Sequence, residues 1–421
     1  MRLKPILAGL LAIACAANLA CTSAPAPSPS ASPDAAPTVI EARPDEPDAA
    51  QSTAPAAIAS TPVTPADPDA LRVLFINDGK ADAILVQVDG ANALIDTGTK
   101  ESAPQLLGAL NGMGVDALDA LFLTHTHNDH IGGMRALCLN LPVRQAYMAE
   151  FSESKKNGEN KIVERAAECG VPLTRLSAGE TVALSGDAAF SVLGPLAYDA
   201  DDDNDNSLVL RLSFNGRTLL LTGDMQFAEE DTLLAAGATL NADVLKVGNH
   251  GNPDATGEAF AAAVAPSLAV LSTDTAVDTD SANPRVYAAL AGADVHVTQD
   301  YQTGVLLTVA PDGAMALGDP VPPATELRLT VREQDVSKQT VTIQNDGAAA
   351  DIGGCMLLSE RGGELFRFPA GAQLQAGAVV TVSGTGGGGD YEFSGEPAPW
   401  HKSKDDAALL FDPYGRALPR G

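Results

Sequence analysis

Leu118-Asp119-Ala120-Leu121-Phe122-Leu123-Thr124-His125-Thr126-His127-Asn128-Asp129-His130-Ile131-Gly132-Gly133 is the stretch on which the fold turns. Its first six residues are mostly apolar and read as a buried strand. Four side chains of ligand type follow within six residues: His125, His127, Asp129 and His130. In an extended loop alternate residues point the same way, so His125, His127 and Asp129 can converge. His130 breaks that period, as a turn into a helix requires. Gly132 and Gly133 allow backbone to pack close behind. The chain has only 6 histidines in 421 residues, and three sit here. That concentration favours a metal cradle over a polar loop whose imidazoles only hydrogen-bond.

Working outward, Leu71–Ile76, Ala83–Val88 and Ala91–Ile95 read as strands, the last two joined by the hairpin pair Asp89-Gly90. Leu208–Phe214 and Arg217–Leu221 flank Asn215-Gly216, a second hairpin. Helices are expected over Gln105–Met113, Lys161–Cys169, Phe227–Ala236 and Gly257–Val264. Further strands are expected near Val244, Leu268–Leu271, Val295–Thr298 and Val305–Val309. Hairpins with interspersed helices predict an α+β fold, a mixed αββα sandwich over residues 70–318. Residues 319–324, rich in proline, read as a linker. Residues 325–421 carry short apolar runs between Gly-rich turns, the pattern of an all-β sandwich.

Residues 1–21 read as a targeting segment. Arg2 and Lys4 precede an apolar run, Ile6–Ala17, too short to span a bilayer. Asn18-Leu19-Ala20-Cys21 then resembles a bacterial lipoprotein cleavage site, which implies lipidation of Cys21 and a membrane-anchored, exported protein. Secretion with complete release is the competing expectation. Residues 22–69, rich in Ala, Pro, Ser and Asp, lack periodic apolar positions and predict a disordered tether. An exported compartment permits disulfides, and Cys138 and Cys169 lie in one domain. Pairing and two separate thiols remain equal alternatives.

Several segments now combine. Asp82-Ala83-Ile84, Ile95-Asp96-Thr97-Gly98, the H-x-H-x-D-H loop, Asn206-Ser207-Leu208-Val209-Leu210, Leu221-Thr222-Gly223-Asp224 and Leu245-Lys246-Val247-Gly248-Asn249-His250-Gly251 recur in that order. In this order they resemble the metallo-β-lactamase superfamily, and within it the soluble domain of ComEC-type competence DNA-uptake proteins. The resemblance implies metal ligation by His125, His127, Asp129, His130, Asp224 and His250, with Asp224 shared between two ions and Asp129 and Asp224 catalytic. Asp82, Asp96, Asn206 and Asn249 would orient those ligands. Zinc, one or two ions, is the expected cofactor, with manganese second. The wider superfamily places another histidine before the bridging aspartate. None lies between His130 and His250, so one ion site has fewer ligands. Val341–Gly347, Phe366–Pro369, Trp400 and Ala408–Gly415 resemble a lamin-tail, immunoglobulin-like domain, with Trp400 in its core.

The expected function is an exported metal-dependent hydrolase, a phosphodiesterase or nuclease acting through a metal-bound hydroxide. Composition opposes a long polyanionic substrate. Lys and Arg number 26 against 54 Asp and Glu, net charge is -28, and aromatics are 4%. Nucleic-acid affinity draws on phosphate neutralisation and base stacking, and both are scarce here. A surface-anchored binding or scaffolding protein with a degenerate metal site is the alternative.

Overall fold

The computed structural model describes residues 67, 69–152 and 160–419. The targeting segment with Cys21 and nearly all of the tether lie outside the described residues.

Strands β1 (Leu71–Ile76), β2 (Ile84–Val88), β3 (Ala91–Ile95), β4 (Ala120–Leu123), β5 (Ala146–Ala149) and β6 (Leu173–Leu176) begin a first sheet. Strands β7 (Thr181–Ser185), β8 (Ala188–Gly194), β9 (Val209–Phe214), β10 (Arg217–Leu221), β11 (Val244–Lys246), β12 (Leu268–Leu271) and β13 (Asp294–Val297) form a second. The chain then returns to the first sheet as β14 (Gly304–Val309) and β15 (Met315–Gly318), giving the order β15-β14-β1-β2-β3-β4-β5-β6. The pairs β1/β2 and β2/β3 are antiparallel, whereas β3/β4, β4/β5 and β5/β6 are parallel. The second sheet has the same character, with β9/β10 antiparallel and β10/β11, β11/β12 and β12/β13 parallel.

Both sheets are covered on both faces, which is why their central strands are almost continuously apolar. Alternation sorts the side chains. Val73 and Phe75 of β1 join Phe122, Phe190, Leu219 and Leu221 in the core between the sheets. Leu74 and Ile76 point the other way, toward helices α1 (Ala103–Gly112), α2 (Asn128–Ile131), α3 (Met134–Asn140) and α4 (Lys161–Cys169). Leu220 and Leu245 face helices α5 (Phe227–Ala235), α6 (Glu258–Val264) and α7 (Pro284–Ala289). The layers are thus helix, sheet, sheet, helix, as expected.

The C-terminal region is all-β. Leu329–Asp335, Thr340–Asn345, Val379–Ser383 and Tyr391–Glu392 form one sheet; Met356–Ser359, Leu365–Arg367 and Ala408–Phe411 form another. Ile343, Leu357, Phe368, Leu410 and the buried Trp400 fill the space between them, with Phe393 edge-on to Trp400 at 5.3 Å. This sandwich is docked, not merely tethered. Met356, Leu358, Leu365 and Phe411 belong to the same apolar cluster as Leu106, Leu107 and Leu137 of α1 and α3. Gly108 of α1 lies so near Tyr414 and Gly415 that a Cβ would sit 2.1 Å from the Tyr414 backbone. Lys100 donates to the carbonyls of Arg361 and Gly362, both at 3.0 Å. The proline-rich linker is itself held, its Asp319 accepting from the amides of Gln302 and Thr303.

Candidate metal centre

Parallel pairing puts the ends of β3 and β4, and those of β10 and β11, along common edges. The residues just beyond these ends are Asp96, the His125–His130 segment, Asp224 and His250. Asp129, His130, Asp224 and His250 each offer one ligand atom, and the four atoms lie within 4.8 Å of one another. The Nε2 atoms of His130 and His250 stand 3.0 and 3.1 Å from Asp224 Oδ2. Asp129 Oδ2 lies 3.6 Å from His250 Nε2.

Both rings are oriented from behind. His130 Nδ1 is 2.8 Å from Asp96 Oδ2, and Asp96 Oδ1 accepts from the Thr124 amide at 2.8 Å. His250 Nδ1 meets the Ser272 carbonyl at 2.7 Å. With each Nδ1 carrying the proton, each Nε2 presents a lone pair inward. His250 is held at φ 54, a left-handed conformation rare for a residue with a Cβ. Strain of this kind persists where the surroundings over-determine it, here between the end of β11 and the Ser272 carbonyl.

The donor set fits a divalent cation. His130 Nε2, His250 Nε2 and Asp224 Oδ1 are buried without a hydrogen-bond partner, despite the short approach of both rings to the Asp224 carboxylate. Two imidazole lone pairs aimed at a carboxylate repel it unless a positive charge lies between. The surrounding charge agrees: Asp129 lies against the Lys80 ammonium, Asp82 and Asp224 against that of Lys246, and Asp96 against His130. Burial alone would lower the His130 imidazole, but Asp224 and Asp96 hold it well above its usual value; His250 is lifted to about 9 against the same desolvation. A metal ion competes with those protons for the same nitrogens. Burial pushes Asp224 up, and the charges of His130 and His250 overcome it and hold the carboxyl well below its ordinary range.

His125 and His127 form an adjoining pair. His125 Nε2 is 3.0 Å from His127 Nδ1, and the His125 and His130 rings are 4.1 Å apart. Burial keeps the His125 imidazole well below its usual value, hence neutral and able to ligate. Its Nδ1 faces Thr124 Oγ1 at 3.1 Å and Ser207 Oγ at 3.3 Å. Ser207 Oγ also accepts from the Asp224 amide, so one hydroxyl ties the two halves together.

Two expected ligand-orienting residues work at a distance. The Asn206 amide group holds Asp199 and Asp203, and Asp203 Oδ2 in turn receives the amide and hydroxyl of Thr126. It steadies the loop between His125 and His127 without touching a ligand. Asn249 turns to Asp254 at 2.9 Å. Asp82 pairs with Lys246 and lies 3.9 Å from His130 Nδ1, farther than Asp96. Lys246, Lys80 and Ser207 were passed over in the sequence reading. Lys246 is fully buried, ion-paired with Asp82 and donating to the Gly223 carbonyl at 3.1 Å. Its signal was present: a lysine at the end of an apolar strand needs a buried partner.

Cys138 and Cys169 are free thiols, and the neighbouring Cys169, with burial, pushes the Cys138 thiol up.

The sequence profile of the Metallo-beta-lactamase superfamily matches residues 76–274, and the helix-sheet-sheet-helix layering of that part of the chain agrees with the match. ComE operon protein 3 of Bacillus subtilis (strain 168) is 35% identical over 167 residues, 40% of this chain and 21% of that protein. Competence protein ComA of Neisseria gonorrhoeae is 31% identical over 196 residues, 46% of this chain and 26% of that protein. The similarity thus spans about a fifth to a quarter of those relatives' length. Anti-Pycsar protein Apyc1 of Paenibacillus xerothermodurans is 28% identical over 207 residues, 41% of this chain and 80% of that protein.

Proposed function

We propose that this chain is an exported, divalent-metal-dependent phosphodiesterase. The observation that carries the reading is the convergence of His130 Nε2, His250 Nε2, Asp224 and Asp129, with both imidazoles oriented from behind and left without a hydrogen-bond partner in front. A zinc or manganese ion held there would supply a water acidic near pH 7 and a Lewis acid for a phosphoryl oxygen. The protein's own groups do the rest. Burial would raise the Asp129 carboxyl, but the nearby His250 and the charge of His130 hold it below the carboxylate range. It therefore stays ionised and accepts a hydrogen bond from an attacking water. Asp224 would hold the ion together with His130 and His250, and Asp96 keeps His130 in the ligating tautomer.

The likeness to competence proteins supports a phosphodiester. The acid excess supports a small diester over a long nucleic acid, because the overall field repels a polyanion. Export and lipidation at Cys21 rest on the residue pattern of positions 1–21. Among the described residues no helix is long and apolar enough to cross a membrane.

The deciding experiment joins metal analysis of the purified chain with turnover of bis(p-nitrophenyl) phosphate. Wild type should take up zinc or manganese and turn over. Asp129→Ala and Asp224→Ala should each lose about 100-fold or more. Equal rates in all three chains would remove these residues from the mechanism. A wild type that binds no metal would favour the binding or scaffolding alternative.

A further inference from the structure

Two ammonium groups lie within ion-pairing distance of the carboxylates of the metal centre, and they differ in access. Lys246 has no solvent exposure and is committed to Asp82 and the Gly223 carbonyl. Lys80 keeps 24% of its side chain exposed, and its partner Asp129 keeps 21%, whereas the side chains of His130, His250 and Asp224 are at 3% or less. Lys80 and Asp129, with the part-exposed His127, are thus the groups of the centre that solvent reaches.

The Lys80 ammonium sits 2.7 Å from Asp129 Oδ2, the same oxygen that lies 3.6 Å from His250 Nε2. One carboxylate oxygen separates this ammonium from the ring that would hold an ion. Gly79 at φ 87 turns the chain just before Lys80, and nothing lies within 4 Å on the side a Cβ would occupy, so the loop borders open space. Across the mouth, Asn252 holds Asp278, close enough for its charge to act on Lys80. The entrance thus offers an accessible cation in an acidic setting.

We propose that Lys80 is the anion-recognising residue of this site, its ammonium gripping one phosphate oxygen of the substrate while a second oxygen faces the metal. This rests on the phosphodiesterase reading and deepens it by naming the group that selects a phosphate. A phosphodiester carries two equivalent anionic oxygens and can bridge an ammonium and an ion, each contact charge-assisted. The flanking Asp278 makes the grip local, so a single phosphate is accepted where a run of phosphates is repelled. If Lys80 only neutralises Asp129, its loss alters metal affinity and nothing else.

The test uses the full chain loaded with manganese, with inorganic phosphate as the probe in calorimetric titration. Lys80→Met should weaken phosphate binding about 10-fold or more while metal affinity stays the same or tightens, because Asp129 is no longer shared. Lys80→Arg should restore most of the phosphate affinity. In turnover, KM for the diester should rise far more than kcat falls. The proposal is overturned if Lys80→Met binds phosphate like wild type, or if metal and phosphate affinity fall together. A wild type that takes up no ion sinks this proposal and the metal reading at once, and the ion count identifies that case.

Discussion

At the scale of single residues, the centre depends on which ring nitrogen carries the proton. Asp96 Oδ2 accepts from His130 Nδ1 and so directs Nε2 inward. Asp96→Asn keeps the size, removes the charge and leaves an amide free to present its NH2 group to Nδ1. Metal affinity should fall about 10- to 100-fold, measured by competition with a chromogenic chelator. Unchanged affinity would assign the orientation to other groups. The candidate ligands of the His125–His130 loop were legible in the sequence because the motif concentrates scarce histidines beside a strand end. Lys246 and Ser207 were not, because their importance lies in the partners they meet. Lys246 meets Asp82, 164 positions away, and Ser207 meets His125 across a separation of 82.

At the scale of elements, both hairpins were readable. Asp89 and Gly90 have φ 47 and 75, and Asn215 and Gly216 have φ 46 and 75, the left-handed pairs that such turns demand. The stretch from β5 to β8 was not readable. Leu173–Leu176 and Thr181–Ser185 are short and half exposed, and Ala188–Gly194 alternates with small residues that give weak periodicity. Helix α5 brings a further consequence. Its Glu229 is buried, accepts from the Leu196 amide, and is raised by burial from 4.5 to about 7. Between those values the folded chain holds a proton that the unfolded chain has released. The contribution to stability is therefore greatest below the lower value and declines as pH rises toward the upper one. Glu229→Gln stays uncharged throughout, so its urea midpoint should gain on wild type between about pH 5 and about pH 8. A constant difference across that range would contradict the assignment.

At the scale of the whole molecule, the αββα domain and the C-terminal sandwich belong, over the described residues, to one compact unit and share an apolar cluster. The contact reaches the metal loop. Lys100 is clamped by the Arg361 and Gly362 carbonyls, and the 97–100 segment packs on Gly132 and Gly133, where a Cβ on Gly133 would lie 2.2 Å from the Thr97 carbonyl oxygen. Gly108→Ala drives a methyl into the Tyr414 backbone and should loosen the docking, at a cost of about 1–3 kcal/mol. Differential scanning calorimetry should show a lower Tm or a transition split in two. A Tm equal to wild type would mean that α1 and the sandwich are not in register as described.

By itself the sequence determined the layered αββα fold, the ligand motif and the all-β character of the tail, since each is written in local periodicity, turn chemistry and residue type. Only the tertiary structure decided which donor atoms come within reach of one another, that Asn249 and Asn206 hydrogen-bond loop residues, and that the tail docks on α1 and α3. These outcomes depend on distances between residues remote in the chain. Sheet register and packing set those distances, and no local pattern encodes them.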